Sequence, residues 1–104
     1  MDITKNYPNP EETIIAFSGK LDFTARKTFQ GAIQKARVEG THHIILDLTD
    51  VTFIDCSALG ILAQAKEDLA QAQATLSLMA APGRILNVLR LSNLDKMIPV
   101  NSPT

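Results

Sequence analysis

A chain of 104 residues with 45% hydrophobic content is long enough for one core and too short for two, so a single domain over residues 1–104 is the expectation. Ten basic residues against eleven acidic ones give a formal net charge of −1, which excludes the broad basic field that would draw the chain to nucleic acid or an anionic membrane. No apolar run approaches the ~18 residues that a bilayer span requires, and a single cysteine excludes an internal disulfide. The opening MDITKNYPNP carries an early acid and two prolines where a signal peptide needs a long apolar run, so a cytosolic, reducing setting is expected, without direct membrane insertion. The partner is then protein or small molecule.

The first strand signal, DITKNY, is short, and PNPEE after it predicts a turn because its two prolines lack the N–H that a ladder needs. TIIAFSGKL is richer in β-branched and aromatic residues, with Gly19 closing the run, so these two strands predict a hairpin. Asp22 is placed to cap the helix that follows. In that helix Ala25, Phe29, Ala32, Ile33 and Ala36 recur at three and four residues, Arg26, Lys27, Lys35 and Arg37 fall largely outside the stripe, and Gly40 ends it.

HHIILDLTDVTFID holds the most strand-like run, with Ile44, Ile45, Leu46 and Leu48 nearly continuous, as in a central strand covered on both faces. From Ser57 the period changes to 3.6, with Leu59, Leu62, Ala65 or Lys66, Leu69 and Ala72 on one side and Gln64, Glu67, Asp68 and Gln71 on another. TLSLMA predicts a strand at 75–80, and Pro82 suits the first turn of a helix carrying Ile85, Val88 and Leu89 that frays near Ser92 or Asn93. MIPV adds an optional edge strand, and NSPT is a tail. The order β-β-α-β-α-β-α, with that optional last strand, predicts an α/β fold: a mixed sheet with helices packed on it and right-handed crossovers between parallel strands.

The junction Asp55-Cys56-Ser57 separates the strand-like run from the second helix, and Ser57 has three readings. It can be a helix cap, hydrogen-bonded to an orphaned backbone N–H. It can be a nucleophile, but the glycine two residues before it that a nucleophile elbow requires is missing, and His42 and His43 lie at the far end of the preceding strand. It can be an acceptor: a helix N-terminus tolerates an added phosphate, whose charge of roughly −1.5 to −2 then changes the surface and not the fold. Cys56 reads as a small buried hydrophobe, and the His and Cys spacing fits no zinc site, so no metal and no cofactor are expected. No phosphate-binding glycine loop accompanies these residues, so phosphoryl-transfer catalysis by this chain is not expected.

HHIILDLTDVTFIDCSALGILAQA resembles the STAS domain (sulfate transporter and anti-sigma-factor antagonist), with its strand, its D-[ST]-S-[AG]-[LI]-G loop and the helix after it. FSGKLDFTA resembles that family's G-x-L-D element, and LSNLDKMI its S-G-L-x-K-x-[IF] segment; together they span about Ile14 to Ile98. The resemblance implies a stand-alone, non-enzymatic anti-sigma-factor antagonist. Its serine is phosphorylated by an anti-sigma-factor serine kinase and restored by a metal-dependent serine phosphatase, and the unphosphorylated form binds the kinase. Carried over, Ser57 is the phosphoacceptor, and Asp22, Asp55, Cys56, Ser57, Ala58 and Gly60 form the partner-binding surface, with ATP and Mg²⁺ held by the kinase. An accessory subunit of a lipid-transport ABC complex is the alternative the same resemblance allows. Three departures bear on the subfamily. Cys56 stands where the family usually has Ser or Thr, and Ala58 replaces a common Gly, placing one methyl beside the site. The chain stops at Thr104, where many antagonists continue into another helix, so partner contacts at that end are expected to differ.

Overall fold

Along the chain run β1 (Asp2–Asn9), β2 (Glu12–Leu21), a 3-10 turn (Phe23–Ala25), α1 (Arg26–Val38), β3 (His43–Ile54), α2 (Cys56–Gln71), β4 (Thr75–Met79), α3 (Arg84–Leu91), α4 (Leu94–Met97) and β5 (Val100–Asn101). The computed structural model describes residues 2–9, 11–38, 40 and 42–101; Pro10 of the expected turn and residues 102–104 of the expected tail lie outside them. The strands form one sheet in the order β1-β2-β3-β4-β5, antiparallel between β1 and β2 and parallel thereafter. The expected mixed sheet with a leading hairpin is therefore present, and the optional edge strand forms at Val100–Asn101, but of MIPV only Val100 belongs to it: Met97 closes α4, and Asn101 comes from the expected tail.

Three parallel connections step across the sheet in one direction. Right-handed crossovers repeated in this way deliver every helix to the same face. Side-chain packing agrees: the ring of Phe29 in α1 stacks on Phe17 of β2 with centroids 5.2 Å apart, and Ile85 of α3 shares a cavity wall with Leu48 and Val51 of β3. The core is correspondingly one-sided. Ile15, Phe17 and Leu21 of β2, Ile44, Leu46 and Leu48 of β3 and Leu78 of β4 are sealed beneath α1 and α2, which contribute Phe29, Ala36, Leu62 and Leu69. On the opposite face Ile14, Ala16, Ile45, Asp47 and Met79 are only half-buried. The expectation that β3 is covered on both faces is thus corrected. Its apolar run alternates buried and half-buried residues, because the crossovers leave no helix for the second face.

Several boundaries also differ from the sequence reading. β1 runs eight residues and includes Pro8, tolerated because β1 is an edge strand whose register shifts between Asn6 and Asn9. β2 continues through Gly19 to Leu21, and the register shift between Gly19 and Lys20 uses the φ of +98° that glycine adopts freely. The buried face of α2 is Ala58, Ile61, Leu62, Ala65 and Leu69, whereas Leu59 is half-buried and Ala72 exposed, a rotation set by where α1 and β4 lie. Pro82 precedes α3 and does not sit in its first turn; the helix begins at Arg84 after Gly83. The break at Ser92 and Asn93 is present, with Asn93 in the left-handed conformation that asparagine tolerates, and it leads into α4, an element the hydrophobic period did not announce.

Candidate functional site

The pairing of β2 with β3 ends with Leu21 opposite Ile54. Each strand is followed by an aspartate, so Asp22 and Asp55 leave the carboxyl edge of the sheet together and each opens a helical segment. Asp55 has an extended backbone (φ −115°, ψ −178°), and its Oδ1 accepts the Ala58 amide at 2.9 Å, closing the first turn of α2. Asp22 does the equivalent for the 3-10 turn: its Oδ1 accepts the Thr24 amide at 3.0 Å and the Thr24 hydroxyl, while its carbonyl accepts the Ala25 amide at 3.0 Å. The Thr24 hydroxyl, then the Thr24 amide, the charge of Lys20 and the Ala25 amide hold the Asp22 carboxyl below its ordinary value of 3.8, against an opposing contribution from desolvation. Asp22 caps a 3-10 turn, and α1 begins only at Arg26.

The capping role considered for Ser57 belongs to Asp55. A capping residue needs an extended backbone just before the first helical residue, and Ser57 is already the second residue of α2. Its hydroxyl is exposed and makes no hydrogen bond among the described residues. Cys56 is likewise exposed and free, contrary to its reading as a buried hydrophobe, because the first turn of α2 turns Ala58 and not Cys56 toward the core. Ala58 is fully buried, so the methyl expected beside the site points into the core and cannot touch a partner. Gly60 is exposed one turn further on, on the same surface as Ser57.

Ser57 and Gly60 line a depression of about 250 Å³ with Ile61 and Gln64 of α2 and Arg26 of α1. Ile61 and Gln64 also line a second cavity of about 320 Å³ between α1 and α2, floored by Phe29, Ile33 and Ala65. The open site therefore leads into a furrow between the two helices. In the sequence Arg26 and Gln64 are only polar positions off an apolar stripe. What would have found them is the crossover geometry itself, since parallel β2 and β3 set the first turns of α1 and α2 next to each other.

The histidines are elsewhere. At the amino ends of β3 and β4, His43 has its Nε2 3.1 Å from Ser77 Oγ and its Nδ1 against the Thr75 hydroxyl, a strand length away from Ser57. The walls of the depression thus offer Ser57 a cation and an amide and no imidazole. Among the described residues no group of three or more His, Cys, Asp or Glu could hold a metal, and no helix is long and apolar enough to cross a membrane.

Comparison with known proteins bears on the same frame. The chain is 25% identical over 91 residues to a STAS-domain containing protein of Pseudomonas aeruginosa (strain UCBPP-PA14), covering 88% of this chain and 89% of that one. Its structure is similar to that of an anti-sigma factor antagonist from Mycobacterium paratuberculosis, with a TM-score of 0.81 and 24% identity over 99% of this chain and 87% of that one. It is similar also to the anti-sigma factor antagonist SpoIIAA, with a TM-score of 0.80 and 19% identity for the unphosphorylated form, over 99% of this chain and 89% of that one. For the phosphorylated form of the Bacillus protein the TM-score is 0.73 with 20% identity, over 99% and 92%. At these identities the solved structures establish the shared fold. The family model of the STAS domain matches residues 3–103, and with the sheet order, the helix-covered face and the Asp55-Cys56-Ser57 turn described above, this chain belongs to the STAS domain family.

Proposed function

We propose that this protein is a partner-switching regulator, an anti-sigma-factor antagonist that binds an anti-sigma-factor serine kinase while Ser57 is unmodified and releases it once Ser57 is phosphorylated. The observation that carries the reading is the free, exposed Ser57 hydroxyl at the start of a helix already capped by Asp55. A residue with no structural duty can be modified without cost to the fold. The likeness to SpoIIAA supports it, since that antagonist has been solved in phosphorylated and unphosphorylated forms.

In this mechanism Ser57 Oγ attacks the γ-phosphorus of ATP bound by the kinase. The bond from that phosphorus to the bridging oxygen breaks, ADP departs, and the hydroxyl proton passes to a base of the kinase. This chain is substrate and ligand, not catalyst, and it acts in the cytoplasm. A serine phosphatase returns the hydroxyl. The added group carries roughly −1.5 to −2 charges. Against a partner carboxylate about 6 Å away, at an effective dielectric near 20, each unit of charge costs about 3 kcal/mol, or roughly a hundredfold in affinity. Asp22, Asp55, Cys56, Ser57 and Gly60 supply the docking surface, with Ala58 setting its backbone from beneath.

Incubation with ATP and the serine kinase encoded beside its gene tests the reading. The expected result is one phosphate on Ser57, located by peptide mass, with none on the Ser57→Ala chain; undiminished labelling of Ser57→Ala would remove Ser57 from the mechanism. Co-purification with an ABC transporter, and with no kinase, would favour the accessory-subunit role instead.

A further inference from the structure

The depression beside Ser57 contains a cation with no task in the fold. Arg26 is the first residue of α1, is exposed, and lines the depression together with Ser57, Gly60, Ile61 and Gln64. Among the described residues no carboxylate pairs with it. The two acids that leave the sheet at this edge are already engaged, Asp55 on the Ala58 amide and Asp22 on Thr24.

Gly60 is the second observation, independent of Arg26. It lies inside α2, where glycine weakens a helix relative to alanine. Packing does not require it there, because a Cβ built at Gly60 meets nothing within 4 Å. What the missing side chain does is leave one wall of the depression bare, on the side where Ser57 stands. A cavity of about 250 Å³ with an unpaired guanidinium on one wall and an empty wall opposite has the room and the charge for a tetrahedral anion. A guanidinium is also the side chain whose paired N–H groups match the spacing of phosphate oxygens.

We infer that Arg26 receives the phosphate of phosphorylated Ser57 within the same chain, in the space that Gly60 leaves open. The inference rests on Ser57 being the phosphoacceptor. Its consequence is that modification acts by occupancy as well as by charge: the phosphate fills the mouth of the α1–α2 furrow and ties up Arg26, so a partner loses both a cavity and a contact.

The test uses the full chain made with phosphoserine at position 57 during synthesis, so that no kinase is needed, and follows the second ionisation of the phosphate by ³¹P NMR. A guanidinium in contact stabilises the dianion and lowers that pKa. The value is expected to rise by about half a unit or more in Arg26→Gln, roughly a threefold change in proton affinity. Arg26→Lys should recover part of the difference, and Gly60→Ala should raise the value by crowding the receptacle. Identical titrations for the parent chain and Arg26→Gln, with both folded by circular dichroism, would overturn the inference. That failure leaves the acceptor role of Ser57 intact, and failure of the kinase to modify Ser57 leaves the titration result intact, so the two can be told apart.

Discussion

Two turns at the carboxyl edge of the sheet begin alike and end differently. Asp22-Phe23-Thr24 and Asp55-Cys56-Ser57 each place a hydroxyl two residues after an aspartate that follows a strand. In the first, the Thr24 hydroxyl folds back onto the Asp22 carboxylate and the chain takes a 3-10 turn before α1 starts. The same return is made at Asp47-Leu48-Thr49, where the Thr49 amide and hydroxyl both donate to Asp47. In the second turn the helix begins at once, the Asp55 carboxylate is used by the Ala58 amide, and the Ser57 hydroxyl is left facing solvent. The difference is one of geometry: an extended residue ahead of a full helix caps its third amide, which carries the second hydroxyl outward. One turn is therefore stitched shut and the other presents a free hydroxyl.

The largest effect expected from this contrast is on binding. Ser57→Asp adds a permanent charge at the proposed docking surface and should weaken the affinity for the kinase by up to roughly a hundredfold, while Ser57→Ala retains it; equal affinities by calorimetric titration would break the charge mechanism. Next comes the cap. Asp55→Ala should cost about 1 kcal/mol, lowering the melting temperature by roughly 4–8 °C, whereas Ser57→Ala should stay within about 0.5 kcal/mol of the parent. A thermal melt in which the two variants lose equal stability would mean that Ser57 is structural after all. Gly60→Ala should stabilise the chain by up to about 1 kcal/mol in denaturant unfolding, because the added methyl meets open space, and a loss there would show that the glycine serves packing.

The smallest effect concerns pH. The folded-state pKa of Asp22 is lowered, so its contribution to stability is fully present above 3.8 and disappears as the pH falls through the depressed value. Thr24→Ala removes the leading cause of that depression and should move the carboxyl back toward 3.8 in an NMR titration. No change would mean that the amides and Lys20 suffice. Ser57→Ala should leave the Asp22 titration where it is.

Much of this molecule was legible before its structure. The β-branched and aromatic residues of TIIAF and the near-continuous IILDL mark β2 and β3, and the three-and-four spacing of Phe29, Ile33 and Ala36 marks the buried stripe of α1. For α2 the period places Leu62, Ala65 and Leu69 correctly on the buried stripe, but it adds Leu59 and Ala72 and misses Ala58 and Ile61. A helix apolar on several sides does not say which side its neighbours will occupy. Asp22, Asp55 and Ser57 were singled out correctly as the residues at the two turns, but the sharing of duties among them was not, because a carboxylate and a hydroxyl two residues apart compete for the same amides until the backbone direction is set.

What the sequence determined by itself is therefore local: which segments are strands or helices, and that a polar turn rich in capping chemistry lies between β3 and α2. Periodicity and capping act over a few neighbouring residues, and they can be read there. Only the tertiary structure decided that all helices cover one face, that Leu21 ends opposite Ile54, and that Arg26 stands beside Ser57. Those facts come from strand register and crossover handedness, which join residues some thirty positions apart through backbone hydrogen bonds that carry no side-chain signature.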